Sequence, residues 1–216
     1  MQSATKPNET QAPAHDLLYR SLRTQIMHGE LGPGEALTVR GLAAKWNVSM
    51  TPAREALRRL SAEGALTISA SGRVSTPTLS NDRIEELAAL RALLEPELAS
   101  RALPRAHMAL IDRLQMINSS VAEAVVKQDA VAYIRTNLEF HRTLYLRAHA
   151  PAMLAMTETV WLQMGPTMRA LYGRLRRAEP PANHRLIIAA LRAGDEPGLR
   201  LAIRADATQG LRMLVS

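Results

Sequence analysis

The pattern of apolar positions divides the chain into three regions. Apolar residues recur every three or four positions over 16–28, 38–46 and 51–63, which predicts three short helices. Two short runs flank a glycine-containing turn within 66–75, and this pattern is typical of a small hairpin. From residue 82 onward the periodicity is helical throughout. We therefore predict a mainly α protein with a small β-hairpin near its first third.

The third predicted helix has clear signals at both ends. We expect Thr51 at its N-cap and Pro52 at its first helical position, because a hydroxyl accepts a backbone N–H there and proline needs no donor. Gly64 is suited to a left-handed C-cap. The predicted inward face is a narrow stripe of Ala53, Ala56, Leu57 and Leu60.

Arginines mark another face of this helix. Arg54 and Arg58 lie one turn apart, and Glu55 and Arg59 have the spacing of an i,i+4 ion pair. The preceding helix, 38–46, is separated from it by only a few residues. Two short helices joined by a tight turn, with arginines on the second, predict a helix-turn-helix that enters a DNA major groove.

The remainder predicts an antiparallel bundle of helices joined by short loops. The six predicted helices are 82–103, 106–127, 130–148, 152–173, 181–193 and 196–215. Pro77, Ser80 and Asn81 end the hairpin and cap the first bundle helix, so the linker is short. The predicted organisation is a disordered arm over 1–12, a winged helix-turn-helix over 13–78 and an all-helical domain over 79–216.

Composition changes this picture little. The net charge of +7 favours a polyanionic partner, but both halves are mildly basic, so charge does not locate the binding site. The chain has no cysteine, which excludes disulfides and thiolate metal sites and suits a reducing cytoplasm. We expect neither a signal peptide nor a membrane-spanning segment.

Four side chains in the bundle have spacings that suit a metal site. Asn137 and His141 lie one turn apart on one helix. His184 and Asp206 lie almost equally far from the turn at 194–195 that joins the last two helices, so they sit at similar heights. Two imidazoles, a carboxylate and an amide oxygen suit Zn²⁺, Ni²⁺ or Mn²⁺.

The run over about 16–78, which we call the head, resembles the winged helix-turn-helix of the GntR family of bacterial transcription regulators. The matching residues are Gly29-x-Leu31-x-Pro33-Gly34, Leu42-Ala43, Val48-Ser49, Thr51-Pro52-x-Arg54-Glu55-Ala56-Leu57, Leu60 and Glu63-Gly64. The resemblance implies base contacts at positions matching Arg40, Met50 and Arg54, the middle one being arginine in the family. The full set of predicted DNA-contacting residues is Arg40, Ser49, Met50, Thr51, Arg54, Arg58 and Arg73.

The bundle is similar, more loosely, to the ligand-binding (FCD) domain of the FadR subfamily, in its VanR-type branch. The matching residues are Leu90-Arg91-x-x-x-Glu95, Asn137-x-x-Phe140-His141, Asn183-His184-x-x-Ile187-x-x-Ala190 and Gly194-Asp195. The subfamily usually has aspartate where Asn137 stands and histidine where Asp206 stands. The resemblance implies a metal beside a small carboxylate effector that alters the spacing of the DNA-binding heads.

Candidate effector contacts come from the residue types that bind carboxylates or line pockets. They are Arg91, Arg142, Arg169, Tyr133 and Trp161. Arginines are abundant in this half, and most of them must be solvated, which is the alternative for each of the three.

We therefore predict a cytoplasmic, homodimeric, ligand-responsive repressor that binds a palindromic DNA operator. A metal-dependent, hydrolase-like enzyme with an accessory DNA-binding head is the alternative, because a His/Asp site with open coordination can activate water. No nucleophile motif or phosphate-binding loop supports the alternative.

Overall fold

The computed structural model describes residues 14–174 and 182–215, which form two units as the sequence predicts. The mainly α fold and the six bundle helices are confirmed. The elements are α1 Ala14–Met27, β1 Ala36–Leu37, α2 Val39–Trp46, α3 Met50–Ala62, β2 Thr67–Ile68, β3 Val74–Ser75, α4 Asn81–Ala102, α5 Met108–Val126, α6 Ala130–Tyr145, α7 Pro151–Arg174, α8 Ala182–Ala193 and α9 Glu196–Val215. The predicted arm over 1–12 lies outside the described residues.

Helices α1, α2 and α3 form the head around an apolar core. Leu22 and Ile26 of α1 pack with Leu57 and Leu60 of α3, and all four are essentially inaccessible to solvent. Thr38 caps α2 by accepting the Gly41 N–H at 2.9 Å. The helix-turn-helix therefore has the burial that its sequence pattern predicts.

Helix α3 begins two residues earlier than predicted. Ser49, in an extended conformation, is the N-cap, and Thr51 is already helical. This correction is compatible with Pro52, because proline is tolerated anywhere in the first turn, where N–H groups have no helical partner. The other end agrees with the prediction: Gly64 has a φ of 72°, and the Ala65 N–H bonds back to the Leu60 carbonyl at 3.0 Å.

The predicted hairpin belongs to a three-stranded antiparallel sheet. Strand β3 lies between β1 and β2, with Val74 opposite both Leu37 and Ile68. The sequence-based prediction does not include β1. Two residues are too short a run for a period of two to appear.

Helices α4 to α9 surround a second, larger core. Helix α4 packs against α7 and α9, α5 packs against α6 and α8, and α8 and α9 form the predicted hairpin. Phe140, Leu114 and Ile203 are among its fully buried residues. None of the helices in the described part of the chain is long and apolar enough to span a bilayer.

Helix α7 joins the two units. Its Leu162 is buried in the core of the head, and Gln163 donates from Nε2 to the Glu63 carbonyl, just beyond the end of α3, at 2.9 Å. Gly165 lies so close to α1 that an added Cβ would sit 2.1 Å from the Ile26 carbonyl oxygen. Arg169 donates to the carbonyls of Gly29 and Glu30. The head is therefore docked through backbone groups at the C-terminal ends of α1 and α3.

Candidate functional site: a basic head and a buried polar cluster

The predicted DNA-contacting residues lie on the surface of the head. Arg40 near the start of α2, Arg54 on α3 and Arg73 at the wing are all exposed, as are Ser49, Met50 and Thr51. Within the described part of the chain, none of these three arginines forms an ion pair with a carboxylate. Their charge is therefore available to a DNA duplex without first breaking a bond within the protein.

Two other arginines on α3 are already paired. Glu55 does not pair with Arg59, as its spacing suggested, but with Arg58, through bonds of 3.0 and 2.7 Å. Arg59 bonds Asp16 at 2.7 Å, and its guanidinium lies 3.8 Å from the centre of the Tyr19 ring. Arg59 thus helps to hold α1 on α3. Arg58 remains exposed, but two of its five N–H donors already bond Glu55, whose negative charge offsets that of the guanidinium.

Three of the four predicted metal ligands converge in the bundle. One ligand atom each from His141 on α6, His184 on α8 and Asp206 on α9 lie within 4.8 Å of one another. His141 Nε2 is 2.8 Å from Asp206 Oδ2, and His184 Nε2 is 3.9 Å from Asp206 Oδ1. Both histidines are fully buried. The hairpin of α8 and α9 therefore sets 184 and 206 at matching heights, as the spacing predicts.

His141, His184 and Asp206 form a buried polar cluster, and a hydrogen bond of His184 fixes which of its ring nitrogens faces that cluster. Its Nδ1 is 3.0 Å from the side-chain carbonyl oxygen of Asn118 on α5. A carbonyl oxygen can only accept, so Nδ1 carries the proton and Nε2 keeps its lone pair. That Nε2 is buried and has no hydrogen-bond partner within the described residues. Phe140 stacks on the imidazole at 3.9 Å between ring centres.

His141 is oriented by a similar chain of hydrogen bonds. Tyr145 donates its hydroxyl proton to Glu95 at 3.0 Å, so its oxygen accepts from His141 Nδ1 at 3.2 Å. His141 Nε2 lies 2.8 Å from the Asp206 carboxylate, which can only accept, so this contact is a hydrogen bond when Nε2 carries the proton. A metal ion bound between the two groups would take the place of that proton.

Glu95 is the centre of a buried network beneath the cluster. It bonds Arg91, one turn earlier on α4, and accepts from Trp161 Nε1 at 2.9 Å. Arg91 and Trp161 are predicted effector contacts, and in the structure both donate hydrogen bonds to Glu95. The i,i+4 spacing of Arg91 and Glu95 is the sequence signal that could have predicted this pair. The same spacing places Tyr145 one turn after His141, whereas nothing in the sequence marks Asn118 as the partner of His184.

Burial and charge shift the pKa values of this cluster. Burial lowers the pKa of His184 to about 4, although Asp206 opposes the change. Burial alone would raise the pKa of Asp206, but the hydrogen bond from His141 and nearby positive charge lower it to about 2. Glu95 behaves similarly: burial opposes ionisation, and the Arg91 guanidinium keeps its pKa below the usual value.

A small cavity of about 20 Å³ lies next to the cluster, with room for about one water molecule. It is lined by Met27, Arg91, Tyr133, Ile134, Asn137, Leu138, Trp161, Met164 and Met168. Asn137, the fourth predicted ligand, lines this cavity one turn before His141. Burial raises the pKa of Tyr133, so its hydroxyl stays protonated and can donate.

The three arginines predicted as effector contacts lie in different places. Arg142 is exposed and bonds Glu158 at 2.8 Å, and Arg169 bonds the backbone after α1. Only Arg91 lines the cavity. Helical spacing alone cannot show which long side chains point to a common centre, because that depends on how helices pack.

The donor set fits a resident divalent metal. Two buried imidazole nitrogens and an ionised carboxylate are the ligands that Zn²⁺, Ni²⁺ and Mn²⁺ accept. Each histidine is oriented through its other nitrogen by a polar partner, as is usual for metal-ligating histidines. The unpartnered Nε2 of His184 would otherwise be a buried acceptor left without a bond.

Comparison with known proteins agrees with both units. Residues 15–74 match the family described as bacterial regulatory proteins, gntR family, and residues 86–208 match the FCD domain. The regulator McbR of Escherichia coli K12 is 30% identical over 196 residues, covering 89% of each chain. The gluconate operon transcriptional repressor of Bacillus subtilis is 28% identical over 184 residues, covering 81% of this chain and 74% of that protein.

A solved structure titled E. coli McbR/YncC superimposes with a TM-score of 0.84 at 27% identity, covering 95% of this chain and all of that one. The matching domains and relatives are those of transcriptional regulators, which sets aside the hydrolase-like alternative. The chain therefore belongs to the GntR family of bacterial transcription regulators and carries an FCD domain behind its winged helix-turn-helix.

Proposed function

We propose that this regulator is a homodimeric repressor whose hold on a palindromic operator is controlled by a small carboxylate effector beside a bound metal. His141, His184 and Asp206 would hold the metal, with Asn137 as the fourth ligand. The observation that carries the proposal is the buried, unpartnered Nε2 of His184, which faces a carboxylate and a second imidazole.

The cavity beside the cluster supports an effector site at this place. Asn137, Tyr133 and Arg91 supply polar groups, and Trp161 and three methionines supply apolar walls. A bound divalent metal would add a positive charge that attracts a carboxylate. The cavity has to widen to admit even a small acid, and methionine side chains are flexible enough to give way.

Helix α7 is the proposed route from effector to DNA. Trp161, Met164 and Met168 line the cavity, while Leu162, Gln163 and Gly165 contact the head. Moving one face of this helix therefore moves the other. Since Gln163 contacts the chain just after α3, a shift of α7 changes where the recognition helix lies relative to its partner in a dimer.

The proposal of a homodimer rests on how few base pairs one recognition helix can contact. One recognition helix contacts only a few base pairs, and a two-fold dimer reads two half-sites about one helical turn apart. Repression is supported by the name of the Bacillus subtilis relative, a repressor of the gluconate operon.

The test is to select bound duplexes from random DNA and then measure operator binding by fluorescence anisotropy. We expect a palindromic site, bound by a dimer, and at least tenfold weaker binding when an effective small acid from a carboxylate panel is added with Zn²⁺. The acid should have no effect on a His141→Ala, His184→Ala double variant. Selection of no common sequence would overturn the proposal. So would an equal response of the double variant to the acid.

A further inference from the structure

A second, larger recess lies on the outer side of the His184 helix. Helices α5 and α8 enclose a groove of about 300 Å³, lined by Gln115, Asn118, Ser119, Arg185, Ile188, Ala189 and Arg192. This outer groove shares no lining residue with the small cavity beside the metal cluster. Its volume is within the range of small-molecule sites.

The outer groove is positively charged. Arg185 and Arg192 are exposed, and within the described residues neither pairs with a carboxylate. Arg192 is held by Gln115, whose side-chain oxygen accepts from it at 2.9 Å. The two arginines are two turns apart on α8, roughly 10 Å along the axis. They can therefore bind anionic oxygens from two positions, with the small Ala189 between them.

Asn118 connects the outer groove to the metal cluster. Its carbonyl oxygen accepts from His184 Nδ1. Its amide nitrogen has no hydrogen-bond partner within the described residues, so two donors remain for a ligand in the groove. An anion that accepts from this amide polarises it, strengthens the bond to Nδ1–H and makes Nε2 a better metal ligand.

We propose that the outer groove binds a small dianion through Arg185, Arg192 and Asn118, and that this binding tightens the metal site. The ligand class is a dicarboxylate or a phosphorylated metabolite, which share anionic oxygens. DNA is a poor fit, because the head docks on α7 whereas α5 and α8 pack against α6 and α9. The second half of the proposal rests on the metal site proposed above.

The first test is calorimetric titration of the untagged, metal-free full chain with succinate and, separately, with sulfate. We expect one or both to bind wild type, and an Arg185→Ala, Arg192→Ala double variant to bind at least tenfold more weakly. Arg204→Ala, which removes an exposed arginine from α9, is the matched control and should bind as wild type does. The stronger probe distinguishes carboxylate from tetrahedral-anion recognition.

Three results would overturn the anion site. In the first, neither probe binds wild type. In the second, the Arg185→Ala, Arg192→Ala double variant binds the probes as tightly as wild type. In the third, light scattering shows that the double variant has a different oligomeric mass from wild type. The last would place the groove in a subunit interface instead.

The second test measures Ni²⁺ affinity with and without the bound probe. We expect several-fold tighter Ni²⁺ binding in wild type and no change in Asn118→Ala. An equal effect of the probe in both proteins would refute the role of Asn118. If wild type bound no metal at all, the proposed function would fail, and so would the proposed link between the outer groove and the metal site. The anion site itself would still be judged by the first titrations.

Discussion

The head and the bundle place their charged residues in opposite ways. In the head, Thr76 is the only buried polar residue among those described, and the arginines needed for DNA lie on the surface. The bundle buries Arg91, Glu95, His141 and His184 in its centre. Function and stability are therefore coupled in the bundle centre and largely separate on the head surface. A charge can be removed from the head surface at little cost to folding, whereas a charge in the bundle centre supports both folding and chemistry.

The largest expected effect comes from breaking the buried ion pair. Glu95→Gln leaves the Arg91 guanidinium buried without its counter-charge, so we expect the free energy of unfolding to fall by about 3–5 kcal/mol. Chemical denaturation of the metal-free protein measures it. Glu139→Gln is the matched control, because its pair with Arg113 is exposed, and it should change stability little. Equal losses of unfolding free energy in the two variants would show that the buried pair matters no more to folding than an exposed one.

Acid should weaken the bundle through His184. Its pKa is about 4 in the folded chain against 6.5 for the ordinary side chain, so the folded state favours the neutral ring. The resulting stability is complete above pH 6.5 and is lost as the pH falls towards 4, and it amounts to on the order of 3 kcal/mol.

Denaturation of metal-free wild type and His184→Gln at several pH values measures this contribution. The stability of wild type should decline more steeply than that of the variant between pH 6.5 and 4. Parallel curves would mean that the buried imidazole is not held neutral by the fold.

In the head, Arg54→Ala should reduce the preference for the operator over other duplexes and leave the free energy of unfolding almost unaltered. Loss of a bidentate contact to guanine costs about 1–3 kcal/mol of discrimination. Anisotropy with the selected operator and a scrambled duplex measures it, and Arg113→Ala on the bundle controls for the loss of one positive charge. Unchanged selectivity would show that α3 does not enter the groove through Arg54.

A smaller, opposite effect is expected from Glu55→Gln. The substitution releases Arg58 from its ion pair and removes a negative charge from the recognition helix. Affinity for all duplexes should rise, and the slope of log affinity against log salt should steepen by about one unit, because one more counterion is released. Weaker binding would indicate that Glu55 orients Arg58 for its contact.

The sequence predicts the two regions unequally well, for a physical reason. Head helices and their exposed arginines follow from local periodicity and capping, so the differences are small: the starts of α1 and α3, the partner of Glu55 and the two-residue strand β1. In the bundle, spacing around the 194–195 turn correctly brings His184 and Asp206 together. The contacts of Asn118 with His184, of Tyr145 with Glu95 and of Gln163 with Glu63 join residues far apart in sequence, and no local pattern encodes them.

The effector contacts show the same limit. Arg142 and Arg169 have the right chemistry for a carboxylate, but packing directs one to Glu158 and the other to the backbone after α1. Residue type and helix face were predictable, whereas the choice of partner depended on the assembled bundle.

Whether His141, His184 and Asp206 hold a metal is measured by the metal content of untagged protein, determined by mass spectrometry. Wild type should carry about one equivalent of Zn²⁺, Ni²⁺ or Mn²⁺ per chain, and a His141→Ala, His184→Ala double variant should carry almost none. His149→Asn, which changes an exposed histidine, should retain the metal of wild type. Near-zero content in every protein, or equal content in wild type and the double variant, would show that these residues hold no metal and leave the buried histidines with a structural role alone.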